Sequence, residues 1–156
     1  MIKMKKQKKI NKFLYYGVLC TWGIVNTLIG LLVALFMLIT GHKPKRFGPM
    51  IYFVVNKEWG WGVNFSFIMV ITKDCENDFH VLSHEYGHSL QNMIFGVFHL
   101  FLVDIPSAIR YWYREFMWYI GKGKDLPDYD AIWFEGTATK YGMEYADRNW
   151  ISGGNN

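Results

Sequence analysis

The chain has 156 residues, 51% hydrophobic and 19% aromatic, which suffices for one compact domain plus a membrane element and excludes two full domains. Its net charge of +4 is unevenly placed: Lys3, Lys5, Lys6, Lys8, Lys9 and Lys12 crowd the start, whereas after residue 41 the 13 acidic residues outnumber 11 Lys and Arg and leave the body at −2. Such a basic flank, with no basic stripe interleaved with aromatics elsewhere, excludes a nucleic-acid surface.

Residues 1–12 read as a basic cytoplasmic flank. Phe13 to Thr40 then runs for 28 residues without a charge, longer than the roughly 20 needed to cross a bilayer, and predicts one tilted transmembrane helix over 13–40. The run is too long for the apolar region of a cleaved signal peptide and no A-x-A-like site follows it, so it reads as a signal anchor. Six lysines before it against Lys43, Lys45 and Arg46 after it favour a single pass with the N-terminus cytoplasmic and the remaining body extracytoplasmic. Residues 41–49 form a linker. Cys20 in the apolar run and Cys75 in a polar loop predict neither a disulfide nor a cysteine-held structural zinc.

The body, 50–151, reads as α+β. Met50 to Val55 and Val63 to Thr72 are rich in Val, Ile and Phe and flank a polar, Gly-containing turn, which predicts a β-hairpin. A helix follows the loop 73–77, with Asn77 or Asp78 as N-cap, Phe79, Leu82, Tyr86 and Leu90 facing a core, and Gly96 ending it. Val97 to Ile120 is apolar and aromatic but carries Asp104, Pro106, Arg110, Arg114 and Glu115; it predicts helices packed on the core or lying in a membrane interface, with Trp112 and Trp118 as anchors. A loop over 121–127 precedes a last helix from about Asp128 to Ala146, and 152–156 is a disordered tail.

The first of these helices carries His84-Glu85-Tyr86-Gly87-His88. Residues four apart project from one helical face, so both imidazoles can reach one metal while Glu85 stays free as a base for a metal-activated water. A catalytic zinc usually takes three protein ligands, and the downstream candidates are Asp104, Glu115, Asp128, Asp130, Glu135 and Glu144. Glu135, Ala138, Thr139 and Gly142 share a helical face, whereas Glu144 points almost oppositely, so Glu135 sits on a small-residue stripe. That stripe, and Gly87 opposite it, would let two helices approach closely enough for a short carboxylate to join the histidines. The predicted metal ligands are therefore His84, His88 and Glu135. His80, one turn before His84, reads as a pocket or capping residue.

HEYGH at 84–88 and FEGTATKYG at 134–142, with 46 residues between His88 and Glu135, resemble the gluzincin branch of the zincin metallopeptidases. The chain also resembles a group of small bacterial membrane-associated proteins whose motif continues as HEYGHSLQ, with a later PS pair, here Pro106-Ser107. The resemblance covers roughly residues 61–146. It implies a zincin-like domain over 50–151, a zinc cofactor, a peptide or protein substrate laid along the edge strand Val63 to Thr72, and Glu85 as general base. Many gluzincins place an Asp four residues after the ligand Glu to orient a ligand histidine; here that position is Thr139, which implies a different support. Tyr141, Tyr145, His80, His99 and Arg110 are candidate oxyanion donors. The expected function is a membrane-anchored zinc peptidase in contact with lipid. The alternative is a non-catalytic zinc-binding membrane interaction protein, and a third reading is an intramembrane protease with Asp104 as the third ligand.

Overall fold

A computed structural model describes residues 8–58 and 60–151; the tail 152–156 and the first seven residues, with three of the six flanking lysines, lie outside them. The fold is α+β: α1 (Lys12–Thr21), α2 (Ile24–Ile39), β1 (Lys45–Phe47), β2 (Met50–Val55), β3 (Gly62–Phe65), β4 (Ile68–Thr72), α3 (Phe79–Phe95), α4 (Ile105–Tyr119) and α5 (Trp133–Tyr145).

The long uncharged run is not one helix. It breaks at Trp22–Gly23 into α1 and α2, bent by 96°, and no single helix among the described residues is long and apolar enough to cross a membrane. α2 alone, with 16 residues, is about 24 Å long against a hydrocarbon core of about 30 Å. The break is held from outside: Trp22 Nε1 donates to Ile94 O at 3.2 Å, and Gly23 is packed so closely on Asn92 that a Cβ there would lie 2.9 Å from its amide nitrogen. Beyond the break Thr27 bonds both Leu19 O and Ser66 Oγ, at 2.7 Å each. Tyr15 and Leu19 of α1 are buried in the same core as α3 and the sheet. Lys8, just before α1, pairs with Glu144 at the end of α5, which sets Lys8 beside the body.

The strands also depart from the simple hairpin. Ser66, at φ 63°, makes a tight turn with Phe67 that splits the second apolar run into β3 and β4. β3 pairs antiparallel with β4, while β2 pairs in parallel with β4, giving the order β1-β2-β4-β3. The reason is burial. Ile68–Thr72 is buried along its whole length and takes a central position, as continuous apolar strands do, leaving β3 with the polar Asn64 at the edge. β1 folds back on β2 through the turn at Gly48-Pro49.

Alternation along β2 and β4 supplies both faces of the sheet. Met50, Tyr52, Met69 and Ile71 meet Tyr15 and Leu19 of α1 and Leu82, Tyr86 and Leu90 of α3; Phe53, Ile68 and Val70 meet Met37 of α2 on the other side. Each fully buried Leu here contributes about 1.5–3 kcal/mol. α3 begins where Asp78 accepts from the backbone N–H groups of His80 and Val81 and ends at Gly96, φ +56°. α5 starts at Trp133, five residues later than expected, because Tyr129–Ala131 forms a separate 3-10 turn. α4 has no buried residue.

Candidate metal centre

Two helices meet with almost nothing between them. A Cβ on Gly87 would lie 1.8 Å from Ala138 O, and one on Gly142 would lie 1.8 Å from Ser83 O. The small-residue stripe on α5 thus brings its backbone onto that of α3, and the approach carries the Glu135 carboxylate to the imidazoles. His84 Nε2 and His88 Nε2 lie 3.1 Å apart, and Glu135 Oε2 lies 3.2 Å from the first and 3.3 Å from the second. Among the described residues these three form a group able to hold a metal ion, with all ligand atoms within 4.8 Å of one another.

The donor set fits a metal for a further reason. Glu135 Oε2 is fully buried and accepts no hydrogen bond, a costly state for a carboxylate oxygen unless a cation completes it. Its other oxygen is satisfied: Ser107 Oγ donates to Oε1 at 2.5 Å and Tyr129 OH at 3.3 Å. Two nitrogens and a carboxylate oxygen are the ligand types that divalent zinc takes, and three of them leave a position open.

The imidazole tautomers follow from their supports. Gln91 Nε2 donates to Phe134 O at 2.6 Å and Thr137 Oγ1 at 2.7 Å, so Gln91 Oε1, 2.8 Å from His88 Nδ1, must accept from it. Thr139 Oγ1 stands 2.7 Å from His84 Nδ1, and its hydroxyl oxygen can accept from the other ring in the same way. With Nδ1 protonated in both, each Nε2 lone pair is free for a metal. Thr139, where the resemblance leads one to look for Asp, is the orienting residue for His84. Thr139→Val and Gln91→Leu are each expected to weaken metal binding 10–100-fold with the fold intact; chelator-competition titration checks this, and unchanged affinity would remove the support role.

The metal-free electrostatics agree. Burial lowers the affinity of His88 for a proton, but Glu135 and then Glu85 outweigh it and raise its pKa to about 9, so proton and metal compete for the same nitrogen. Burial raises Glu135, yet the two imidazoles hold its carboxyl well below the ordinary range. Glu85 is buried too; desolvation pushes its carboxyl up, opposed by the two histidines. It does not join the cluster but lies against Gly62 of β3, where a Cβ would sit 2.7 Å from its Oε1.

A cleft of about 550 Å³ opens beside His84, Glu85 and His88, bordered by residues 61–65 along the edge strand β3. His80 lines its continuation, in keeping with a pocket residue. The other expected candidates do not join the cluster, although Asp104 borders the same cleft and Glu115, Asp128 and Asp130 its continuation. Asp104 turns from the cluster to His99 Nδ1 at 3.0 Å and Asn26 Nδ2 at 2.6 Å; Arg110 donates to the carbonyls of Asp128 and Tyr129; His99 is buried; Tyr141 and Tyr145 pack on the core. Two residues that sequence reasoning did not assign to the site stand in it: Tyr129, whose ring lies 6.2 Å from that of His84, and Ser107 at the start of α4. Neither has a spacing signal, since both come from chain ends of elements. Gln91 had one, three residues after His88 on the same helix. Comparison with protein-family models, with curated proteins and with solved structures finds no match, so the chemistry of the site rests on its own geometry.

Proposed function

We propose that the protein is a membrane-associated zinc peptidase that hydrolyses peptide bonds with Glu85 as general base. The observation that carries this reading is the convergence of His84, His88 and the buried Glu135 Oε2, which has no hydrogen-bond donor of its own, with a second buried carboxylate held beside it at an open cleft. His84, His88 and Glu135 would hold the zinc, which would supply Lewis acidity toward the scissile carbonyl and the attacking water. Glu85 takes the water's proton and delivers it to the leaving amine. Tyr129 lines the cleft with His84 and Glu85 and would donate its phenol to the developing oxyanion by giving up its 3.3 Å bond to Glu135 Oε1. An extended substrate can lie along the free edge of β3 as an added strand.

Membrane association is supported by apolar side chains that the fold leaves outside. Ile105, Ile109, Trp112 and Phe116 form one stripe on α4, and Leu28, Leu31, Leu32, Leu35 and Phe36 cover the outer side of α2; all are exposed. Such faces exceed what a water-facing monomer carries and suit a bilayer interface. The 96° bend and the Lys8–Glu144 pair favour a monotopic arrangement, with Lys8 and the body on the same side, over the single pass expected from the sequence.

The test is turnover. The purified full chain, loaded with zinc, is expected to cleave an unstructured protein such as denatured casein, to stop when a chelator removes the metal, and to resume when zinc returns. A chain that binds zinc stoichiometrically yet cleaves no unfolded substrate would sink the reading and leave a binding protein.

A further inference from the structure

Two hollows meet at the candidate base. Trp61, Gly62, His84, Glu85, Tyr111 and Tyr129 line both; one has about 550 Å³ and the other about 570 Å³. Beyond that shared floor their chemistry diverges. The first is walled mainly by Val63, Phe65, Leu100, Ile105, Ala108 and Trp112, with Asn64, Asp104 and Ser107 as its polar members. The second is walled by His80, Arg114, Glu115, Asp128 and Asp130. Arg114 is half-buried, donates to Pro127 O at 2.6 Å and lies 5.6 Å from the Tyr129 ring; its single positive charge is outnumbered by the exposed carboxylates of Glu115, Asp128 and Asp130. An extended chain lying across Glu85 would therefore have an apolar wall on one side of its scissile bond and an acidic rim on the other.

The apolar hollow also has a particular outlet. Ile105 and Trp112 are 43% and 69% exposed while lining it, and they belong to the same α4 stripe as Ile109 and Phe116. On the side of Ile105 and Trp112 the hollow thus continues into the apolar face, and a segment resting in lipid could slide in there without first being transferred to water.

We propose, building on the peptidase reading, that the substrate is a membrane-presented polypeptide segment with bulky apolar residues on one side of the scissile bond and Lys or Arg on the other, as at the end of a lipid-embedded stretch. Apolar side chains are selected by burial against Val63, Phe65, Ala108 and Trp112. Basic side chains are selected by Glu115, Asp128 and Asp130, and that part of the preference weakens with salt.

The experiment compares peptides of identical composition, Leu and Lys grouped in two blocks in either order or interleaved. Binding is read by fluorescence anisotropy on the zinc-loaded Glu85→Gln chain, and kcat/KM on the wild type. One blocked order is expected to bind at least about tenfold more tightly than the interleaved peptide and to be cut at the block junction. Ala108→Asp, which places a charge in the apolar wall, is expected to bring that ratio to near one. A blocked peptide anchored in phosphatidylcholine–phosphatidylglycerol vesicles is expected to be cut as well. Equal binding of blocked and interleaved peptides overturns the inference even if both are cleaved, and so does failure on the vesicle-anchored peptide while the free one is cut. Selective binding of the blocked peptide with no cleavage by the wild type removes the peptidase reading instead and leaves the selectivity standing.

Discussion

Glu85→Gln is expected to lower peptide hydrolysis by about 10²–10⁴-fold, the usual contribution of a positioned general base, while zinc content stays at one ion per chain. The three convergent ligand atoms belong to His84, His88 and Glu135, and Glu85 contributes none of them. Gln has the same shape and carries no charge to desolvate, so the buried place against Gly62 is filled without loss of stability. Metal analysis, thermal unfolding and turnover measured on one preparation separate the roles. Wild-type turnover in the variant would remove Glu85 from the mechanism; loss of zinc with turnover would show that it supports the metal instead.

The parts of this site that were legible in the sequence are those carried by helical spacing. His84 and His88 share a face because they are four apart, and Glu135, Ala138 and Gly142 share one at spacings of three and four, so their residue types alone told which side of α5 could approach α3. The Asp78 cap and the Gly96 stop are equally local. What could not be read depends on partners distant in sequence. Nothing within residues 13–40 says that Trp22 will bond Ile94 O, that Asn26 will bond Asp104 or that Thr27 will bond Ser66, yet these contacts turn an uninterrupted apolar run into two helices. The parallel pairing of β2 with β4 is of the same kind, because the tight turn at Ser66 frees β4 to displace β3 from the expected position. Ser107 and Tyr129 reach Glu135 from two separate elements, and no periodicity connects them.

Gly87→Ala tests whether the close crossing of α3 and α5 sets the metal centre. The added Cβ would lie 1.8 Å from Ala138 O, where non-bonded carbon contacts require about 3.5 Å, so the helices must part by roughly 1 Å or more. The obstacle is backbone, not a side-chain tip, and it cannot rotate away. Overpacking of this kind costs about 1–3 kcal/mol and often more, outweighing the gain of up to about 1 kcal/mol that Ala brings to a helix in place of Gly. Glu135 sits one turn before Ala138 on α5, and its Oε2 is now 3.2 and 3.3 Å from the two Nε2 atoms; moving α5 outward withdraws it from the imidazoles. Zinc affinity is therefore expected to fall together with stability. Gly17→Ala is the control, since nothing lies within 4 Å of a Cβ there, and it should leave zinc binding unchanged and raise stability slightly. Urea unfolding and zinc titration of both variants decide the matter: equal stability and equal affinity in Gly87→Ala would show that helix separation does not govern the site.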